Sequence, residues 1–187
     1  MNTNALSQQA PRIAPATLQM QVDPMLFKSG MRQLAAGVCA VTTHHDSEPH
    51  GLLVTAVSSV SAEPAPSLLI CVNRSSSTHE RIINAGCFCV NLLGEHDVEL
   101  ARQFMSSDRR SRFAGVDWET GITGAPILTQ AIVSFDCELE QAIEADSHTI
   151  CIGRVRDVRV RGESGQPLLY FGSNFAVVRP HGTSTSA

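Results

Sequence analysis

From Val133 to Glu140 the chain alternates without a break: Val133, Phe135, Cys137 and Leu139 are apolar, and Ser134, Asp136, Glu138 and Glu140 are polar. A period of two is the mark of a strand with one buried face. The pattern continues in HTICIGRVRDVRVRG and PLLYF, and VCAVTT, LLVTAVSSVS, LLICV and CFCVNLL read as further strands. Helical signals are few. VDPMLFKSGMRQLAAG places Asp23 at an N-cap, Pro24 at the first helical position, apolar residues at Phe27, Met31, Leu34 and Ala35, and Gly37 as a stop. THERIINAG and HDVELARQFM are the other two helical stretches. HHDSEPHG reads as a turn, and DRRSRFAGVDWETGITGAPILTQ as a long glycine-containing loop of the functional or mobile kind. Many strands, few helices and no regular strand-helix alternation predict a mainly β, antiparallel barrel with short helices outside it.

At 187 residues, 43% hydrophobic and 17% charged, the chain has the size and composition of one ordinary domain. Residues 23–180 form that predicted domain. Residues 1–22 and 181–187 are polar, Pro- or Ser-rich and aperiodic, and are predicted to be disordered tails. A net charge of -4 offers no basic surface for nucleic acid or an anionic membrane, so any anionic ligand must be held locally. No apolar run reaches the roughly 18 residues of a membrane span, and the N-terminal stretch lacks a basic leader with an apolar h-region, which predicts a cytoplasmic protein. The six cysteines, Cys39, Cys71, Cys87, Cys89, Cys137 and Cys151, mostly fall inside strand-like segments and read as reduced core residues. Cys87 and Cys89 invite a metal or redox reading, but no second Cys/His pair stands at zinc spacing, and no metal site is assigned.

Two segments carry candidate chemistry. In CVNRSSSTHERI, Ser77 and Glu80 have the spacing of a capping box, so Ser77 is expected to cap the helix that Gly86 ends. Arg74, Ser75 and Ser76 are left over. Two hydroxyls and a guanidinium beside a helix N-terminus suit a phosphate, although Ser-rich loops often precede helices for structural reasons alone. In GLLVTAVSSVS, the small residues Thr55, Ala56, Ser58 and Ser59 would let a flat ligand lie against the backbone, and they equally suit an edge strand with solvated hydroxyls. His44, His45 and His50 read as solvated groups around a hairpin turn, and Arg109, Arg110 and Arg112 as a solvated charge run.

Taken together, GVCAVTT, HGLLVTAVSSVSAEPAPSLLICVNRSSSTHERI, AGCFCVNLL, LARQF, RFAGVDWETG, GAPIL, ADSHTICIGRV and PLLYF resemble, in order and spacing, the short-chain flavin reductases. These are the reductase components of two-component flavin monooxygenases, of the 4-hydroxyphenylacetate monooxygenase reductase type. The resemblance spans about Asp23 to Arg179. It implies a flavin-binding split β-barrel, antiparallel and Greek-key-like, a homodimer, FMN or FAD as the flavin, and NADH or NADPH as hydride donor. By position, Val54, Thr55, Ala56 and Val57 would line the flavin ring through their backbone, and Ser59 with Asn73, Arg74, Ser75, Ser76 and Ser77 would hold the ribityl chain and phosphate. His148 stands where the family has a histidine facing the nicotinamide, but Ala145, Asp146 and Ser147 precede it in place of the usual Gly-Asp or Gly-Thr. Ser58 stands where many relatives have Cys.

The implied reaction needs no acid-base dyad, because positioning the two ring systems supplies most of the catalysis. Reduced flavin would pass to a partner monooxygenase. The competing readings are a flavin-retaining oxidase on the pyridoxamine-phosphate-oxidase type of barrel and a non-catalytic flavin- or haem-binding module.

Overall fold

A computed structural model describes residues 22–161 and 165–179; the tails predicted from the sequence fall, apart from Val22, outside these residues. The chain order is α1 (Pro24–Met31), β1 (Ala36–Gly37), β2 (Cys39–His45), β3 (Glu48–Val54), β4 (Val57–Ser61), β5 (Ser67–Asn73), α2 (His79–Ala85), β6 (Cys87–Leu92) and α3 (Val98–Phe104). A 3-10 turn (Arg110–Phe113), β7 (Trp118–Thr120), β8 (Pro126–Leu128), β9 (Val133–Ala145), β10 (His148–Val160), β11 (Leu168–Phe171) and β12 (Asn174–Val177) follow.

Seven strands form one antiparallel sheet in the order β3-β2-β6-β9-β10-β5-β4. Its two edge strands, β3 and β4, are consecutive in the chain and joined only by Thr55 and Ala56. Laid flat, the edges of seven strands would stand about 29 Å apart at the usual strand spacing. Two linking residues span only about 10 Å. The sheet therefore has to curl until its edges come together, which makes the predicted barrel and leaves its split at Thr55–Ala56. Two smaller sheets, β1-β11-β12 and β7-β8, lie beside it.

The barrel interior is filled by Val41, Ile70, Val72, Phe88, Val90 and Cys137, with Ile82 of α2 packed among them. A second cluster lies outside the wall, where Val38, Ala40, Leu93, Leu128 and Leu168 pack against Leu100 and Phe104 of α3. Strand β2 and the residue before it contribute to both, with Cys39 and Val41 facing in and Val38 and Ala40 facing out, which is why the sequence there does not alternate. Gly153 sits at a β-bulge in β10, where an added Cβ would lie 2.5 Å from the Phe88 ring, so the wall can close over Phe88 only with glycine there.

All six cysteines are free thiols, and five are buried. Burial pushes the thiols of Cys39 and Cys137 up to about 12 and that of Cys151 to about 11, so they serve as small core hydrophobes. Cys87 and Cys89 share one face, packed with Ala125 and Ile127.

Three expectations need correcting. Helix α1 begins at Pro24 behind the Asp23 cap, whose carboxylate accepts from Met25 N at 2.9 Å, but it stops at Met31. Gly37 is not its stop. Ala36 and Gly37 are drawn into β1 by pairing with Tyr170 and Leu169 of β11. The run LLVTAVSSVS is two strands, broken where the chain passes from one sheet edge to the other. The loop predicted for residues 108–130 holds a 3-10 turn and the β7–β8 hairpin, with Phe113 edge-on to Phe104 at 5.3 Å and Pro126–Leu128 wholly buried. Strands β1 and β12, of two and four residues, are too short for a periodicity to register.

Candidate functional site

Thr55 and Ala56 lie outside every ladder and are exposed, because the strands on either side end at the barrel split. Val54 still pairs with Cys39, and Val57 already pairs with Ile70. The Ala56 carbonyl accepts from Cys71 N at 3.1 Å, which fixes the link against β5. Beside the link opens a cavity of about 420 Å³ lined by Ala35, Ala36, Gly37, Cys39, Thr55, Val57, Val90, Leu92 and Phe135. Its size falls in the range of small-molecule sites, and its walls are apolar and largely small. The Val54 side chain belongs to the barrel core, so only its main chain is at hand for a ligand. Ser59 is exposed and opposite Leu68, about 16 Å along β5 from Asn73 at 3.3 Å per residue, so it does not join the serine loop.

The serine loop starts where β5 ends. Asn73 Oδ1 accepts from Ser75 N at 2.9 Å and from Ser75 Oγ at 2.8 Å, while Ser76 N donates to Asn73 O at 2.9 Å. Ser76 in turn accepts from Thr78 N through Oγ at 3.3 Å and from His79 N through its carbonyl at 3.0 Å. These bonds correct two expectations. The N-cap of α2 is Thr78, and Ser77 does not cap it; Ser77 instead accepts from Arg81 Nη1 through its carbonyl. The N–H groups of Ser75, Ser76, Thr78 and His79 are already used within the loop, so what the loop can offer an anion is hydroxyls, the Ser77 N–H and Arg74. Gly86 does end the helix, in the left-handed conformation at φ 66°.

His148 is brought to the same place by strand register. It opens β10 opposite Asn73 of β5 and Ala145 of β9. Asp146 takes a positive φ of 49° in the turn, which an Asp tolerates where the resembled motif has Gly. The His148 ring is exposed, and its hydrogen bond among the described residues is between Nδ1 and Ser147 Oγ, at 2.9 Å. Thus the Thr55–Ala56 link, the Asn73–Ser77 loop and His148 lie on the neighbouring strands β4, β5 and β10, within a span of about 10 Å across the sheet. The cavity touches the link but neither the loop nor His148, which leaves room for a flat ring at one end and a charged tail at the surface.

Several supporting residues had no clear signal in the sequence. His79 Nε2 and Thr149 Oγ1 are 2.8 Å apart, tying α2 to the strand that carries His148, with Thr149 wholly buried. Arg112 is not part of a solvated run. Its guanidinium donates to Gly51 O at 2.6 Å and Ser106 O at 2.6 and 2.9 Å, and Thr78 Oγ1 donates to the same Gly51 carbonyl at 3.0 Å. Burial lowers the Arg112 pKa from its ordinary value, with the charge of Arg109 acting the same way. The three histidines are half-buried and not free in solvent: His44 lies against Trp118 at 6.4 Å, and His50 Nε2 is 3.2 Å from the His45 carbonyl. Burial, followed by the charge of Arg81, lowers the His50 pKa.

This geometry coincides with a family match. Residues 31–179 match the flavin reductase like domain. The chain belongs to that family. An FMN reductase (NADH), RutF, of Pseudomonas syringae is 37% identical over 170 residues, covering 90% of this chain and 93% of the relative. A reductase subunit of a flavin-dependent monooxygenase, HsaB, of Rhodococcus jostii is 33% identical over 163 residues, covering 87% and 82%. Among solved structures, the Streptomyces globisporus NADH:FAD oxidoreductase SgcE6, in complex with NAD and FAD fragments, superposes with a TM-score of 0.79 at 29% identity, covering 87% of this chain and 98% of its own. The split-barrel fold inferred from the motif order is that of the family's solved structures.

Proposed function

We propose that this flavin reductase oxidises NADH or NADPH at the expense of free FMN, with FAD as the alternative flavin, and hands the reduced flavin to a partner monooxygenase. The observation that carries the site assignment is the convergence of the Thr55–Ala56 link, the serine loop and His148 on three adjacent strands. When bound, the flavin supplies the chemistry, accepting a hydride from the nicotinamide. The chain supplies position. The peptide groups of Thr55 and Ala56, apart from the Ala56 carbonyl already bonded to Cys71 N, hold the ring with Val57 and the apolar wall of Ala35 to Gly37 and keep water from it. Ser75, Ser76 and Arg74 hold the phosphate through hydroxyls and charge. His148 orients the nicotinamide from the hairpin turn. No side chain has to move a proton, and among the described residues no acid-base pair lies at the cavity.

The partner follows from the HsaB likeness, since that relative is named as a monooxygenase's reductase subunit. The protein is proposed to act as a homodimer. Helix α1 buries no residue of its own and presents Met25, Leu26 and Phe27 at 61–67% exposure, a surface that a second copy can cover. A cytoplasmic location accords with six unpaired thiols. No helix among the described residues is long and apolar enough to cross a membrane.

The test is a steady-state assay crossing FMN and FAD with NADH and NADPH. Oxidation of the nicotinamide is expected only when flavin is added, with no further substrate needed. Absence of flavin-dependent oxidation in all four combinations would overturn the assignment, and a requirement for another oxidisable substrate would point to the oxidase reading. Light scattering at micromolar concentration is expected to give twice the chain mass.

A further inference from the structure

Arg74 is engaged on two sides. Its backbone N–H donates to the Ser147 carbonyl at 3.0 Å, and its guanidinium Nη1 stands 3.2 Å from Glu144 Oε2 and 3.5 Å from the Asp146 carbonyl. All three partners belong to the end of the β9–β10 hairpin. The Glu144 backbone is set by its place opposite Thr149, which His79 anchors, but the Glu144 side chain is 72% exposed and that of Arg74 44% exposed. An ion pair this exposed contributes little and exchanges readily. A phosphate brings more charge than a carboxylate and three acceptor oxygens, so it is the stronger partner for the same guanidinium.

We propose that Glu144 determines how sharply this protein distinguishes phosphorylated from unphosphorylated flavin, by occupying Arg74 until a flavin phosphate displaces it. This rests on the reading of Arg74, Ser75 and Ser76 as the phosphate site. Glu144 is a positioning residue acting through Arg74. It lowers the affinity for any anionic flavin by the strength of the pair that must be broken, and it leaves a neutral flavin untouched, because a neutral flavin does not displace the carboxylate.

The experiment measures dissociation constants for FMN and riboflavin, from quenching of flavin fluorescence, on the full chain and on Glu144→Gln, Arg74→Gln, the Glu144→Gln/Arg74→Gln double variant and Ser75→Ala/Ser76→Ala. Glu144→Gln is expected to tighten FMN by about two- to fivefold and leave riboflavin unchanged, the range set by an exposed pair. In the Arg74→Gln background the gain is expected to vanish. An unchanged FMN constant, an equal change for both flavins, or a gain that persists without Arg74 would overturn the proposal. If Ser75→Ala/Ser76→Ala shifts FMN and riboflavin equally, the phosphate site itself is misplaced and the proposal falls with it. If that variant separates the two flavins and Glu144→Gln does not, only the role of Glu144 is lost.

Discussion

Two asparagines, Asn91 and Asn73, each sit at the centre of a polar cluster on the same barrel wall, and they do opposite things. Asn91 is wholly buried in β6. Its Nδ2 donates to Ala40 O and Thr42 Oγ1 at 3.1 Å, and its Oδ1 accepts from Leu128 N and Ser134 Oγ at 2.9 Å. Every donor and acceptor of the amide is used, and together they join β2, β6, β8 and β9 into one unit. Asn73 is exposed, and its Oδ1 is taken by Ser75 while its Nδ2 makes no bond to another described residue. The difference is one of saturation. A polar group whose partners are all internal fixes the fold, because unmaking any one bond leaves a buried group unpaired. A polar cluster with hydrogen-bonding capacity to spare at the surface is available to a ligand.

The sharpest way to break this contrast is Asn91→Ala, which strands the partners of the amide in the interior. It is expected to cost about 3–5 kcal/mol in urea unfolding while FMN affinity per folded molecule stays close to wild type. A loss of flavin affinity as large as the loss of stability would show that the two clusters are not separate in function. The next effect runs the other way. Ser75→Ala/Ser76→Ala is expected to weaken FMN binding by roughly 1–3 kcal/mol, to weaken riboflavin much less, and to shift unfolding by less than about 1 kcal/mol. His148→Ala is expected to lower kcat/KM for the nicotinamide roughly tenfold with the flavin constant nearly unchanged, since position is lost and the flavin pocket is not. Equal damage to flavin binding and thermal stability would assign His148 to the fold. The smallest effect is for Ser77→Ala. With Thr78 at the cap, stability should move by no more than about 0.5 kcal/mol, whereas a true capping serine would cost about 1 kcal/mol.

Strand periodicity at Val133–Leu139 and the turn at Asp46 and Ser47 made most of the barrel legible, but the alternation did not mark a solvent face there: Ser134 and Asp136 are buried, bonded to Asn91 and Thr123, while Val133 and Phe135 are only half-buried. Strand β2, buried on both faces, was legible as an apolar run instead. The long edge-strand reading of LLVTAVSSVS failed because nothing in its composition records that its two halves belong to opposite edges of the sheet. The serine loop and His148 were each visible as motifs, yet their adjacency comes from the β5–β10 register, a pairing between distant segments that no local pattern states. Ser77 misled because Ser-x-x-Glu is a capping signature wherever it occurs, and here the chain turns one residue later. Arg112 and His79 were illegible for a related reason: an arginine beside other arginines, or a histidine in a polar helix, reads as solvated until the fold brings Gly51, Ser106 or Thr149 against it.

The two-residue seam between β3 and β4 also bears on kinetics. Its own ends are close in sequence and β4 pairs locally with β5, both at little cost in chain entropy, but the serine loop meets His148 only when β5 has found β10, a pairing between residues as remote as Asn73 and His148. The binding surface therefore depends on a non-local pairing and is expected to be assembled late in folding. A ligand that recognises only the closed seam stabilises the finished barrel without helping to build it. Bound flavin should slow unfolding and leave the refolding rate nearly as it is in the flavin-free chain.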